Sequence, residues 1–339
     1  MSAFTPYLAK AASGEPLGAD DMKAAMGAIL SGEASDVEIA GFLMALRARG
    51  ETPEEIAAAA RAMRDKALAV AAPQGAIDTC GTGGDGAGTY NVSTAAALIL
   101  AGCGVPVAKH GNRAASSKSG SSEVLAALGV NLDIPPARIS ECIDGAGVGY
   151  MHAALHHRAV GHAAATRKAL GVRTLFNLLG PLSNPAGAKR QLMGVFARDL
   201  VRPIAEVMPR LGVEAAWVVH GADGLDELTT TGPSHVAALM GGTISEFDIT
   251  PEDAGLSRAA PEALTGGDPQ HNAAALKRLL EGERGAYRDI AVLNAAAGLI
   301  VAGKADDLTT AARRAETAID DGAAMRALER LIAISNETS

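Results

Sequence analysis

Residues 76–94 read Ala76-Ile77-Asp78-Thr79-Cys80-Gly81-Thr82-Gly83-Gly84-Asp85-Gly86-Ala87-Gly88-Thr89-Tyr90-Asn91-Val92-Ser93-Thr94, a short apolar run that empties into glycines, hydroxyls and amides. Ala76 to Cys80 predicts a strand, the glycines a loop at its carboxyl end, and Ser93 to Gly102 a helix. A second unit follows, in which Val105 to Lys109 predicts a strand leading into His110-Gly111-Asn112-Arg113. Both loops leave the carboxyl end of a strand, where ligands gather in parallel α/β sheets. From Gly86 to Ser122 there is no acidic residue, although the chain carries a formal net charge of -8. The same stretch holds Lys109, His110, Arg113 and Lys118 among Asn91, Ser93, Thr94, Asn112, Ser116, Ser117, Ser119, Ser121 and Ser122. Glycines let backbone N–H groups close on an anion, and hydroxyls, amides and cations add donors and charge. The stretch predicts an anion pocket.

Gly81, Gly83 and Gly86 formally satisfy the dinucleotide fingerprint, but the match fails in context. A dinucleotide loop enters its helix at once and needs an acid about 20 residues on; here the helix waits until about Ser93 and the next acid is Glu123. A P-loop is excluded because no Gly-Lys-Ser/Thr follows. N-capping accounts for one of Asn91, Ser93 and Thr94, but not for the cluster, whose first-turn N–H groups can face the same anion as the loop.

Ahead of this region the first 72 residues read as helices. Ser35 with Glu38 forms a capping box before Val37 to Arg49, closed by Gly50. Thr52-Pro53-Glu54-Glu55 opens an alanine-rich helix to about Val70. Pro73-Gln74-Gly75 marks a boundary. Further on, Met151 to Leu179 reads as helical and ends at Gly180-Pro181-Leu182-Ser183-Asn184-Pro185, while Arg167 and Arg173 could face solvent. Ala215 to His220 predicts a strand before Gly221-Ala222-Asp223-Gly224-Leu225-Asp226-Glu227, and the chain from Gln270 onward is mostly helix.

Asp226 and Glu227 form an acid pair at a strand end, fit to hold magnesium beside a multiply charged phosphate; a helix N-terminal acid pair is the equal alternative. Asp223 before Gly224 reads as a turn residue. His152, His156, His157 and His162 cluster without a carboxylate among them, which argues against a metal site.

Composition narrows the classes. A chain of 339 residues with 48% hydrophobic content suggests about two domains. Cys80, Cys103 and Cys142 have no paired spacing and read as buried thiols of a cytoplasmic protein, with neither disulfide nor zinc site indicated. Met1 to Ala12 has no secretory pattern, and the apolar run Ala95 to Ala108 is too short and too broken to span a membrane. The acidic balance and 3% aromatic content argue against a nucleic-acid partner. The residues alone point to a magnesium-dependent enzyme acting on a small, diphosphate-bearing molecule.

Taken in order, Gly81 to Asp85, Asn91 to Thr94, Lys109 to Arg113, Gly180 to Ala186, His220 to Glu227 and Gly266-Gly267-Asp268 resemble the anthranilate phosphoribosyltransferases over nearly the whole chain. The resemblance implies an α/β fold, with a helical domain (1–72, joined by helices from about 151–186) and an α/β domain (73–339) built on a mainly parallel sheet. It implies Mg-dependent transfer of phosphoribose from phosphoribosyl diphosphate to anthranilate, in tryptophan biosynthesis, by a homodimer. Gly81, Gly83, Gly84, Asp85, Thr89, Asn91, Ser93, Thr94, Lys109 and Ser121 would hold the phosphoribosyl diphosphate, with Lys109 catalytic. Ser93, Asp226 and Glu227 would bind magnesium, and Gly81, His110, Asn112 and Arg167 would meet anthranilate. No general base is assigned. The chain departs from many relatives at Tyr150 to Leu155 and carries Val160 where some have an aromatic residue facing anthranilate, which concerns the shape of the acceptor pocket. Pyrimidine nucleoside phosphorylases and a nucleic-acid-binding relative are the competing readings.

Overall fold

The computed structural model describes residues 2–112 and 119–337. Arg113, Ser116, Ser117 and Lys118 lie outside the described residues. Four helices open the chain: α1 (Thr5–Ala12), α2 (Ala19–Leu30), α3 (Asp36–Arg49) and α4 (Pro53–Asp65). Both capping boxes form, with Glu38 and Glu55 each accepting the cap residue's N–H at 2.9 Å while Ser35 and Thr52 accept in return. Glu55 also accepts the Leu17 N–H at 2.8 Å and pairs with Arg49, so a fully buried carboxylate ties α3, α4 and the α1–α2 link together. Helix α4 ends at Asp65, short of Val70. Residues beyond it bond elsewhere: the Leu68 N–H donates to His156 O and the Val70 N–H to Pro185 O.

A seven-stranded sheet follows: β1 (Ile77–Gly81), β2 (Val107–Gly111), β3 (Val148–His152), β4 (Arg190–Gly194), β5 (Ala215–Gly221), β6 (Ser234–Met240) and β7 (Thr243–Ile249). The order is β3-β2-β1-β4-β5-β6-β7, parallel through β5 and antiparallel beyond it. The mainly parallel α/β expectation holds. After β1 the chain goes to β2 on one side and later to β4 on the other, so the switch point lies at the carboxyl ends of β1 and β4. Crevices of this kind take ligands because neighbouring loops diverge there.

Helix α5 (Val92–Gly102) is buried along nearly its whole length on one face, in a core shared with the helices Ala286–Val301 and Ala323–Ser335. The other face packs the helix Val201–Arg210 and, beyond it, α2 to α4.

The segment read as one helix from Met151 is different. It starts within β3 and then breaks into Ala153–His156, a 3-10 turn Arg158–Ala163, Ala164–Leu170 and Phe176–Leu182. Gly149 is the reason β3 fits: a Cβ there would meet Ile139 O at 2.8 Å, so only glycine lets the preceding helix lie this close. Pro181 sits inside the last turn of Phe176–Leu182, and only Pro185 falls beyond it. This segment packs back on the N-terminal helices, with Thr166 Oγ1 donating to Asp36 Oδ1 at 2.5 Å. Among the described residues, no helix is long and apolar enough to cross a membrane.

Candidate active site

The loops after β1, β2 and β5 surround a cleft of about 310 Å³, closed on its far side by Arg167 and Phe176. Gly81, Gly83, Gly84, Asp85, Thr89, Asn91, Ser93, Thr94, Lys109, His110, Asn112, Ser121, Arg167, Asp226 and Glu227 all line it, so the structure brings together the residues that the family resemblance assigns to substrates and metal, while Ser122 does not line it. Gly180 and Pro181 from the Gly180 to Ala186 motif line it as well, as do Ala153, Phe176 and Asn177, which no motif marked.

The glycine loop turns through consecutive positive φ values at Gly83 (67°) and Gly84 (78°), which no β-carbon-bearing residue would adopt cheaply. Two contacts hold it from opposite sides. The Gly83 N–H donates to Asp226 Oδ2 at 2.6 Å, and Arg173 Nη1 donates to Gly84 O at 3.0 Å while its guanidinium stacks 4.2 Å above Phe196. Arg173 thus pins the loop instead of merely facing solvent. Asn91 stands at the N-cap position of α5 but makes no cap bond; its amide donates to Ser119 O at 3.2 Å and its oxygen accepts Asn272 Nδ2 at 2.9 Å. Asn272 in turn accepts the Gly267 N–H at 2.7 Å, which explains the presence of Gly266-Gly267-Asp268 in the motif set. The Thr94 hydroxyl is buried without a partner at the first turn of α5.

Asp226 and Glu227 belong to an irregular loop after β5, which excludes the helix N-terminal reading. Their approach depends on glycines of neighbouring strands: a Cβ at Gly194 would overlap the Asp226 carbonyl, and one at Gly81 the Asp226 carboxylate. Gly194→Ala should therefore lower stability by about 2 kcal/mol, a loss of roughly 3 °C in melting temperature, by forcing that loop outward; an unchanged melting curve would contradict the packing. Asp223 accepts the Leu225 N–H and the Thr229 and Thr231 hydroxyls, as a turn residue does.

Burial, then the charge of Asp85, pushes Asp226 up to about 7. Burial, then the charge of Asp226, pushes Glu227 up to about 8. The pair therefore shares protons near neutrality, and Asp85 stands on this acidic side of the cleft. Among the described residues no group of three or more His, Cys, Asp or Glu converges as a metal site. The donor chemistry nonetheless fits magnesium, which takes one or two carboxylates and completes its shell with water and substrate oxygens. Asp226, Glu227 and the adjacent Ser93, whose N–H donates to Glu227 Oε1 at 3.2 Å, are the residues that would hold it.

Lys109 in β2 is buried, its ammonium donating to Thr79 O; burial lowers its pKa and the Asp78 charge opposes that shift. His110 Nδ1 lies 3.1 Å from Gly180 O, leaving Nε2 buried without a partner. Burial, then His157 and His156, pushes His110 down to about 3, so it is neutral at physiological pH. Ser121 Oγ lies 2.9 Å from Tyr150 Oη.

Arg167 stacks 5.0 Å above Phe176 and, among the described residues, pairs with no carboxylate; burial lowers its pKa. Val160 is a correction. It packs with the core around α2 to α4 and does not line the cleft. His156 likewise bonds outside the cleft, to Leu68 O at 2.6 Å.

The chain matches the glycosyl transferase family a/b domain over residues 73–325 and the glycosyl transferase family helical bundle domain over residues 5–67. It is 63% identical over 327 residues to the anthranilate phosphoribosyltransferase of Rhodospirillum rubrum, covering 96% of this chain and 94% of that one. It is 58% identical to that of Rhizobium meliloti, covering 99% of each. Among solved structures it is similar to the Thermus thermophilus anthranilate phosphoribosyltransferase, with TM-score 0.93, 46% identity and 98% and 99% coverage. It is also similar to the Saccharomyces cerevisiae enzyme in complex with PRPP and Mg, with TM-score 0.90, 28% identity and 98% and 97% coverage.

Proposed function

The chain belongs to the anthranilate phosphoribosyltransferase family, and from that premise we infer that its cleft moves phosphoribose from phosphoribosyl diphosphate to the amine of anthranilate, releasing diphosphate. The observation that carries the reading is the make-up of the cleft, in which the glycine loop, Lys109 and the acid pair Asp226 and Glu227 line one cavity with Arg167, and the Gly83 N–H meets Asp226 at 2.6 Å. The names of the relatives favour this over nucleoside phosphorolysis.

The N–H groups of the glycine loop that are not taken within the protein, as those of Thr82, Gly83 and Ala87 are, receive phosphate oxygens, as nests do. Lys109 places positive charge on the side of the departing diphosphate, stabilising charge that develops as the bond from ribose C1 to diphosphate oxygen breaks. Magnesium held by Asp226, Glu227 and Ser93 would supply further charge neutralisation of the diphosphate. Arg167 meets the anthranilate carboxylate with its guanidinium fork, while Phe176 supports the guanidinium from below. His110, with Nδ1 toward Gly180 O, offers the Nε2 lone pair as an acceptor that orients the amine. A group pushed down to about 3 binds a proton too weakly to serve as an efficient base near neutrality, so positioning is its role.

The test is direct. Enzyme, magnesium, phosphoribosyl diphosphate and anthranilate should together extinguish anthranilate fluorescence. No loss, alongside phosphate-dependent cleavage of thymidine, would overturn the reading.

The acid pair also sets a pH dependence. Because Asp226 and Glu227 titrate at about 7 and about 8, protons compete with magnesium below these values. Magnesium binding, measured by calorimetry with phosphoribosyl diphosphate present, should tighten by more than about 100-fold from pH 6 to pH 8 and release protons on binding. The sign for stability is opposite: both folded-state values are raised, so the metal-free protein loses stability as pH rises through them. A magnesium affinity independent of pH across this window would contradict the assignment.

A further inference from the structure

The ladder between β1 and β2 stops as soon as it starts. Both strands run five residues, yet they pair only at Ile77 and Val107, where the Ile77 N–H donates to Pro106 O. On its other side β1 pairs with β4 from Ile77 to Gly81. In a parallel ladder the next step would join the Thr79 N–H to Ala108 O and the His110 N–H to Thr79 O. Side chains take three of those four atoms instead. The His110 N–H donates to Asp78 Oδ1 at 3.0 Å, Ala108 O accepts Asn184 Nδ2 at 2.8 Å, and Thr79 O accepts the Lys109 ammonium. The Asn184 amide also donates to Asp78 Oδ2 at 2.7 Å, and its oxygen accepts the Ala186 N–H at 2.8 Å, so it is oriented from both ends.

We propose that Asp78 is a positioning residue, which with Asn184 wedges the sheet open between β1 and β2 and so sets Lys109 and His110 at the floor of the cleft. Asp78 is fully buried, and a buried carboxylate without partners would cost several kcal/mol. Here it accepts two hydrogen bonds and faces the charge of Lys109, so the three side chains satisfy one another. Were the ladder to zip, the His110 N–H would claim Thr79 O, evict the Lys109 ammonium and swing the loop that begins at Gly111. Asn184 lies in the run Gly180 to Ala186, and the wedge gives it a function that its position outside the cleft lining would not suggest.

The inference rests on the assignment of Lys109 to the diphosphate, and a double-mutant cycle separates the two. Asp78→Asn keeps an acceptor for His110 but sets one amide against the Asn184 amide. It should lower kcat/KM for phosphoribosyl diphosphate about 30-fold, mainly through kcat, and Asn184→Ala about tenfold. In a Lys109→Ala background each should cost less than about threefold more, because residues acting through one group are not additive. The exchange Asp78→Asn with Asn184→Asp restores a carboxylate–amide pair and should regain at least about threefold over Asp78→Asn alone. Full additivity with an impaired Lys109→Ala enzyme would overturn the wedge alone, as would a fall in melting temperature with kcat per folded molecule unchanged. A fully active Lys109→Ala enzyme would remove the assignment of Lys109, and the wedge's catalytic role with it. Should Asp78→Asn not fold, Asn184→Ala carries the same cycle.

Discussion

Glu227→Gln lowers kcat about a thousandfold at saturating substrates and standard magnesium, the scale of losing one main charge-stabilising element at a reacting centre. Glutamine keeps the shape of the side chain and can still accept the Ser93 N–H, so α5 and the loop after β5 stay in place. What disappears is the negative charge. Because Glu227 sits beside Asp226 in a buried setting that disfavours ionisation of the pair, its negative charge has value only when a cation arrives. Raising magnesium well above its ordinary concentration should recover part of the loss. A kcat within threefold of the parent, with unchanged magnesium affinity, would show that the acid pair is structural.

Arg167→Ala raises the KM for anthranilate about 100-fold and leaves that for phosphoribosyl diphosphate within about twofold, as expected from removing one partner of a desolvated carboxylate–guanidinium pair. The guanidinium is held ready by Phe176 with no carboxylate among the described residues competing for it. Arg167→Lys should recover only part of the affinity, since an ammonium cannot present the two parallel donors of the fork. Unchanged anthranilate KM in Arg167→Ala would mean that another group meets the carboxylate.

The loops that carry the chemistry were legible because each follows a strand with a clear apolar run and contains residues that fit few other purposes. Glycines at Gly83 and Gly84 need positive φ, and the acid-free stretch after Asp85 has no ordinary folding rationale. The hairpin of β6 and β7 carries a sequence signal of its own: Gly241 and Gly242, both at positive φ, form the two-residue turn between the strands. Two strands were harder. In β3 the alternation is masked by Gly149, chosen for a close helix approach, and in β4 the buried Gln191 spends its amide on Pro181 O. Phe176 and Ala153 line the cleft without a sequence signal because apolar surfaces carry no motif. Gly194 escaped because its role is to leave room for Asp226, which appears only when β4 and the loop after β5 are side by side.

Substrate phosphates sit on the glycine loop beside a metal on the acid pair, whose Asp226 carboxylate already accepts the Gly83 N–H. Crystals of the complex with phosphoribosyl diphosphate and manganese, in place of magnesium, test it through the anomalous signal of the metal. A peak is expected within ligand distance of Asp226 and Glu227, about 2.0–2.3 Å from their oxygens, with diphosphate density against Gly81 to Asn91. A peak away from both carboxylates, with the diphosphate bound elsewhere in the cleft, would contradict it.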